Sequence, residues 1–164
     1  MRPLLFLSAL LLITSIACSG KRKSPHETVK GKDVSVTYGR PYKKGRVIFG
    51  GLEKYGQVWR TGADEATEIT FDKDAQFGGQ PVKAGTYTLF TIPGETEWTI
   101  ILNSKLDQWG AYDYDEYKNK DVLHVKVPVK KLDQVVEQHT IRFLPDNTMI
   151  IEWDQTQVQI PITN

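Results

Sequence analysis

Apolar and polar residues alternate with a period of two along most of the chain from Asp33 onward. Such alternation is typical of strands that turn one face to a core and the other to water. The runs that show it lie at 34–38, 98–102, 123–129, 149–153 and 158–162. A further run, GTYTLFTI at 85–92, is rich in threonine and aromatic residues and is typical of a strand packed on both faces. Turn signals separate the runs, among them Gly78-Gly79, Pro93-Gly94 and Pro145-Asp146-Asn147.

This pattern predicts an all-β fold, either an antiparallel β-sandwich or a jelly roll. We expect about ten strands at short spacing. Only residues 113–119 resemble a helix, and they are enough for about two turns at most. A chain of 164 residues is long enough to bury a sizeable core in one domain without disulfides. The sequence therefore predicts a single sandwich domain over 33–164.

The N-terminus has the layout of a bacterial export signal. Arg2 is followed by an apolar run at 4–16, and Ser15-Ile16-Ala17 places small residues before Cys18. The run has about 13 residues, which is too short to span a bilayer as a helix. Cys18 is the only cysteine, and its position predicts a lipoprotein signal at 1–17 that is cleaved before an acylated Cys18. The alternative is an ordinary secreted protein with a cysteine near its cleavage site.

Residues 18–32 are polar and basic without hydrophobic periodicity, which predicts a flexible tether between the lipid and the fold. Ser19 follows the cysteine and no acidic retention signal is present, so we expect an outer-membrane location facing the periplasm. The membrane is then one partner, through the lipid anchor. Removing 1–17 takes away one positive charge and leaves the mature chain neutral. A neutral domain is not expected to bind nucleic acid.

Two stretches break the alternation, 40–68 and 103–120, and loops of this kind commonly carry the function of a sandwich. In the first stretch, Trp59 and Arg60 precede Asp64 and Glu65. As a recognition site, Arg60 offers a planar fork to a carboxylate, phosphate or vicinal hydroxyls, Trp59 offers a stacking face, and the two acids accept hydrogen bonds. As structure alone, Arg60 pairs with Asp64 or Glu65 across a tight turn while Trp59 fills the core.

The basic loop at 40–46 is either a solvated turn or joins Arg60 around an anionic ligand. The second break carries Trp109, Tyr112 and Tyr114. Aromatic side chains on a sandwich loop bind sugar rings in carbohydrate-binding modules, but they also close the open edge of a core. Nearby Asp113, Asp115 and Glu116 lack the spacing of a calcium loop.

No nucleophile elbow, phosphate loop or dinucleotide fingerprint occurs in the sequence. The histidines do not resemble a metal triad: His26 lies in the tether, His124 is expected in solvent, and His139 is expected to be half-buried. With one cysteine before the domain, thiolate chemistry is excluded from the fold. We therefore predict no catalytic residue, no metal and no cofactor.

Several long segments resemble a bacterial envelope family catalogued as domain of unknown function 2911. They are YGQVWRTGADEATEITF at 55–71, GQPVKAGTYTLFTIPGETEWTIILN at 79–103, DQWGAYDYDEYKNKDVLHVKV at 107–127 and SVTYGRPYKKGRVIFGGL at 35–52. The resemblance covers nearly all of 25–164. It implies an exported protein, often a lipoprotein, and it implies no catalytic residue because no activity is established for the family. Relatives often carry Asn at the position of Asp64, which implies that a charge there is not needed for a shared function.

The sequence thus predicts an envelope lipoprotein that acts as a non-catalytic binding module for a polar small molecule or a glycan. The candidate ligand-binding residues are Trp59, Arg60, Asp64, Glu65, Trp109, Tyr112 and Tyr114. Two alternatives stay open. One is a structural or accessory protein that docks to another envelope protein, and the other is a glycan-acting hydrolase.

Overall fold

Eleven strands and two single-turn helices build the part of the chain that the computed structural model describes, residues 21–163. A one-turn helix α1 (Tyr114–Tyr117) leads into a 3-10 turn (Lys118–Lys120). The prediction of an all-β fold with little helix is confirmed. The strands are β1 (His26–Gly31), β2 (Val34–Gly39), β3 (Glu68–Phe71), β4 (Ala75–Phe77), β5 (Gln80–Val82), β6 (Gly85–Ile92), β7 (Glu97–Asn103), β8 (Asp121–Pro128), β9 (Lys130–Phe143), β10 (Met149–Ile160) and β11 (Ile162–Thr163).

The strands form three antiparallel sheets. The largest has six strands in the order β1-β2-β3-β6-β7-β8. A long two-stranded ribbon of β9 and β10 and a small sheet in the order β11-β4-β5 form the rest. Buried side chains of all three sheets belong to one hydrophobic cluster, which includes Phe71, Trp98, Ile141 and Trp153. The sheets therefore pack face to face across one core, as in a β-sandwich.

The outer face of the six-stranded sheet carries a second, smaller core. Phe90 of β6 and Ile101 of β7 are fully buried there, and Val58 and Tyr114 from the two loops that break the alternation pack over them. This covering buries β6 on both faces, as its composition predicts. It also brings the two loops to the same side of the molecule.

The runs at 149–153 and 158–162 belong mainly to one strand, β10, rather than to two. Register shifts occur on both sides of Asp154, where β10 pairs with β9. Asp154 has a φ of 55°, a left-handed conformation that interrupts the pleat. Each shift changes which residues face the core, so a continuous strand reads as two separate alternating runs.

The domain starts earlier than the predicted boundary at 33, because β1 begins at His26 and pairs along its length with β2. The predicted tether over 18–32 is corrected accordingly. As an edge strand with partly exposed side chains, β1 has no strong hydrophobic period to reveal it. The predicted signal at 1–17 and the lipidation site Cys18 lie outside the described residues. Within 21–163, no helix is long and apolar enough to cross a membrane.

Candidate functional site

Arg60 is placed by its two neighbours, which are both buried. Trp59 exchanges two backbone hydrogen bonds with Thr91 of β6, at 2.7 and 3.0 Å. Its ring is 4% exposed, packs among other aromatic rings of the main core, and donates through its indole N–H to the carbonyl of Gly62 at 3.2 Å. Thr61 is fully buried and donates to the hydroxyl of Thr91 at 3.1 Å. The structure thus places Trp59 in the core and turns Arg60 toward the surface.

The guanidinium of Arg60 has no hydrogen bond or ion pair with any other described residue, and its Nε atom is buried. The pairing with Asp64 or Glu65 that the structural interpretation expects does not occur. An N–H group left buried without an acceptor costs about 1–3 kcal/mol. A ligand oxygen that approached Nε would remove that cost.

Asp64 binds the N-terminal segment instead of Arg60. Its carboxylate accepts the backbone N–H of Lys23, 3.1 Å from either oxygen, and that of Ser24 at 3.0 Å. Asp64 is 8% exposed and has a φ of 65°. The side chain therefore fixes the chain just before β1 against the loop that carries Arg60.

Glu65 faces a different cavity, of about 210 Å³, between β2 and the second loop. Its carboxylate lies 2.7 Å from Nε of Arg22 and 3.0 Å from Nε2 of His26. Burial alone raises the pKa of Glu65, but its own backbone N–H and the Arg22 guanidinium together hold it below the usual range. Asp64 and Glu65 are adjacent in sequence, but their side chains thus point to different partners.

A cavity of about 450 Å³, which we call the Arg60 cleft, opens beside the guanidinium. The basic loop forms one wall, with Tyr42, Lys44 and Arg46, as expected if it joins Arg60 around an anion. The N-terminal segment at 23–25 forms another wall. The cations that line it are Lys23, Lys44, Arg46 and Arg60, and the acids are Glu53 and Asp64. The excess of positive charge favours an anionic ligand.

Arg46 is committed to the loop itself, which separates its role from that of Arg60. Its guanidinium donates to the carbonyl oxygens of Lys43 at 2.9 Å and Tyr42 at 2.5 Å. These bonds hold the basic loop in shape. Arg60 is therefore the guanidinium of the cleft that has its donors available.

Glu53 is a member of the cleft for which the sequence offers no signal. Its carboxyl makes no hydrogen bond or ion pair with another described residue. Burial raises its pKa to about 7, against the opposing effect of the nearby Arg60 and Arg46 charges. A single acid between Leu52 and Lys54 in a loop has no motif or period that indicates a half-buried position.

The two loops meet through their backbones. The N–H of Gly110 donates to the carbonyl of Asp64 at 3.0 Å, and Ala66 donates to Gln108 at 2.9 Å. Trp109 pairs with Glu65 in an isolated β-bridge and is partly buried. The aromatic loop is thereby attached directly beside the Arg60 segment.

Tyr112, in the same loop, adjoins Arg60. A Cβ atom added to Gly110 would lie 2.6 Å from Cε2 of Tyr112 and 3.0 Å from Nη1 of Arg60, so both side chains approach the same glycine. Tyr112 is 76% exposed, which leaves most of its surface available to a ligand.

Tyr114 closes the outer core instead of lining the cleft. Its ring meets Phe90 edge to face with centroids 5.2 Å apart, and its hydroxyl donates to Asp121 at 2.6 Å. Burial, together with the Asp121 carboxylate, raises the pKa of Tyr114 above its usual range. Of the predicted candidates, Arg60 and Asp64 thus line one cleft and Tyr112 adjoins Arg60. Trp59 and Tyr114 pack against the two cores instead.

A larger cavity of about 580 Å³ lies where β9 ends, beside β11. Its charged side chains, Lys30, Lys32 and Asp146, are all exposed, so none of them matches the buried, unpaired Nε of Arg60. Within 21–163, no group of three or more His, Cys, Asp or Glu side chains is arranged to hold a metal ion.

Comparison with known proteins gives one match. A family model described as a protein of unknown function, DUF2911, matches residues 20–162. None of the curated proteins and none of the solved structures compared with the chain matches it.

Proposed function

Because the chain belongs to the DUF2911 family, whose function is unknown, we propose a function from the site itself. The domain is a non-catalytic binding module, and the Arg60 cleft holds a polar small molecule or a glycan through an anionic group. The observation that carries this proposal is the buried and unpaired Nε of Arg60 beside an open cavity. Planar guanidinium donors match the oxygens of a carboxylate or a phosphate in a bidentate arrangement.

The rim of the cleft supports a ligand that also has a less polar body. Tyr42 and Leu52 line the cavity and are 42% and 44% exposed, and Tyr112 adjoins Arg60. Aromatic rings with one face in solvent are suited to stacking on sugar rings. A ligand with one charged group and a ring or ring-like body would use both features.

Thermal unfolding of residues 21–164 against a panel of acidic and neutral sugars and metabolites tests the proposal. A ligand that prefers the native state raises the midpoint in proportion to its affinity and concentration. We expect Arg60→Ala to abolish the shift while leaving unliganded stability nearly unchanged, since Arg60 has no ion pair to lose. Lys54→Ala, an exposed charge outside the cleft, is the matched control and keeps the shift.

A collapse of unliganded stability in Arg60→Ala would identify Arg60 as part of the scaffold, because loss of one partner of a buried charged pair costs about 3–5 kcal/mol. If no compound shifts the midpoint and the protein instead forms a stable complex with another envelope protein, the accessory-protein alternative replaces the binding module.

We also propose that the protein is a lipoprotein of the outer membrane, anchored through Cys18 with the domain in the periplasm. The support is the sequence pattern of 1–18. Cys18→Ser is expected to leave a folded protein in the soluble fraction. Ser19→Asp, which adds an acidic retention signal after the cysteine, stays membrane-bound but moves to the inner membrane. A Cys18→Ser protein that remains with the membrane contradicts the anchor.

A further inference from the structure

Glu53 is held in the wall of the Arg60 cleft by its backbone. Its N–H donates to the carbonyl of Ile48 at 2.9 Å, and its carbonyl accepts from Gly50 at 2.8 Å. Phe49 and Glu53 form an isolated bridge in the same turn. With the backbone groups used, only the carboxyl of Glu53 is available to interact with a ligand in the cleft.

The surroundings of this carboxyl disfavour its charge without neutralising it. It is partly removed from water, and no cationic nitrogen of the described residues forms an ion pair with it. Arg46 uses its guanidinium on backbone carbonyls, and Arg60 stands opposite without a hydrogen bond. The charged and titratable groups that face Glu53 across the cleft are Lys23, Tyr42, Lys44, Arg46, Arg60 and Asp64.

We propose that Glu53 binds the ligand as a neutral carboxylic acid and donates a hydrogen bond to the same carboxylate group that Arg60 holds. The ligand class is then an acidic sugar that carries a carboxylate. This inference rests on the proposed function of the cleft. A neutral carboxyl has one O–H donor, and a hydrogen bond from it to a charged oxygen is among the stronger ones.

The donors that the proposal places in the cleft match the two oxygens of a carboxylate, because Arg60 supplies a guanidinium and a neutral Glu53 supplies one O–H. A phosphate monoester brings close to two negative charges and three acceptor oxygens instead. The cations that line the cleft attract either anion, so a phosphate monoester is the competing ligand that the test includes.

Binding is coupled to proton uptake in this scheme. The ligand carboxylate stays ionised, and the proton that Glu53 takes from solvent forms the O–H that donates to it. In the unliganded protein the pKa of Glu53 is about 7, so at about pH 7 roughly half of the protein molecules must take up a proton when they bind the ligand. At lower pH Glu53 already carries the proton. At higher pH fewer protein molecules carry it, and the affinity for the ligand falls because the proton must be taken up first.

Three sugars with one ring and different charges test the proposal: glucose, glucuronate and glucose 6-phosphate. Calorimetric titration of residues 21–164 is expected to show the tightest binding for glucuronate. Its affinity is expected to fall about tenfold from about pH 6 to about pH 8, because the neutral fraction of a group with a pKa of about 7 falls by that factor. Glucuronate remains ionised throughout, so the change belongs to the protein.

Glu53→Gln keeps a neutral donor and removes the titration. We expect it to bind glucuronate with the affinity that the wild type shows at about pH 6, and without the tenfold fall. Glu95→Gln changes an exposed acid outside the cleft and keeps the wild-type pH dependence. Should Glu53→Gln fail to fold, the wild-type binding enthalpy in two buffers of different ionisation enthalpy reports the proton uptake directly, about half a proton at about pH 7.

The outcomes separate this inference from the function on which it rests. Glucuronate binding that depends on Arg60 but not on pH, or tighter binding of glucose 6-phosphate than of glucuronate, overturns the role of Glu53 and leaves the binding module standing. Absence of binding by all three sugars overturns the acidic-sugar inference, and the binding module itself is overturned only if no compound of the thermal-unfolding panel shifts the midpoint.

Discussion

The Nε2 atom of His139 donates a hydrogen bond to the carbonyl oxygen of Thr61 at 2.9 Å. His139 is fully buried on β9, deeper than the half-buried position that its sequence context predicts, and Thr61 follows Arg60 directly. Thr61 has a φ of 57°, a conformation that a β-branched residue rarely adopts without support. Thr67 donates to the same carbonyl at 2.8 Å. The loop that presents Arg60 is therefore fixed to the second layer of the sandwich as well as to the first.

The stability of the protein is expected to depend on pH through His139. Burial lowers its pKa to about 4, with the nearby Arg40 charge acting in the same direction. In the unfolded chain the pKa is about 6.5, so between these values the unfolded state binds more protons. Stability is then complete above about pH 6.5 and is lost as the pH falls toward about 4, with a slope approaching about 1.4 kcal/mol per pH unit. Urea unfolding across this range measures the slope.

His139→Gln serves as the comparison, because a glutamine amide also donates to the Thr61 carbonyl but does not titrate. We expect a lower free energy of unfolding overall. We also expect its slope against pH to be smaller by about 1.4 kcal/mol per pH unit, which corresponds to one proton. Equal slopes in the two proteins would show that His139 is not the titrating group.

Asp64→Ala is expected to release the segment before β1. The carboxylate accepts the N–H groups of Lys23 and Ser24, and loss of these charge-assisted bonds costs about 1–3 kcal/mol. Hydrogen exchange at these two amides is expected to speed up while exchange in the core strands stays slow. Lys23→Ala keeps the backbone N–H and should leave the protection intact; a similar loss in both variants would argue against the carboxylate.

Gly110→Ala is expected to disturb the site through two contacts. The added methyl group would lie 2.6 Å from Tyr112 and 3.0 Å from Arg60, at a φ of 74°. Gly56 has the same φ of 74° with nothing within 4 Å of the added atom, so Gly56→Ala measures the backbone cost alone, about 1–2 kcal/mol. We expect Gly110→Ala to be less stable than Gly56→Ala and to lose the ligand-induced rise in melting midpoint. Equal stability and equal binding would mean that Tyr112 and Arg60 do not adjoin.

Glu53→Gln is expected to stabilise the unliganded protein at alkaline pH. The pKa of Glu53 is raised to about 7 by burial, so the folded state binds more protons than the unfolded state between about pH 4.5 and pH 7. Stability is therefore lost as the pH rises through this window. At about pH 8 the variant should exceed the wild type by about 3 kcal/mol, and near pH 4 the two should agree. Chemical denaturation at both pH values is the measurement; a variant that is no more stable at about pH 8 contradicts the burial of this charge.

Several elements of the fold follow from sequence alone because they depend on local alternation. A period of two predicts β7 and β8, and the alternating apolar residues of both strands lie in the main core. The composition of β6 predicts burial on both faces, which the outer core provides. β1 and the continuity of β10 did not follow, since an edge strand has little apolar pattern and a bulge changes the phase of the alternation.

For the candidate site, the residues that sequence could mark are those with unusual chemistry in a loop. The sequence points to Arg60 as a planar donor for anions, and its guanidinium has no partner among the described residues beside the basic loop. The sequence points to Trp59 as a stacking face for a ligand, but its ring lies in the core. A large aromatic residue is suited to a binding site as well as to a core, and the sequence does not distinguish the two. No sequence signal points to Glu53, since its place in the cleft depends on segments that are distant in sequence.

The sequence by itself determined the all-β class, the family and the two loops that break the alternation, because hydrophobic period and long motifs are local properties. Only the tertiary structure decided which acid serves which neighbour. Asp64 turns to the N-terminal segment, Glu65 to Arg22 and His26, and Glu53 to the cleft. A carboxylate can accept a hydrogen bond from any donor within reach. The choice among donors is made by how the strands bring distant loops together, and here that choice leaves Arg60 available.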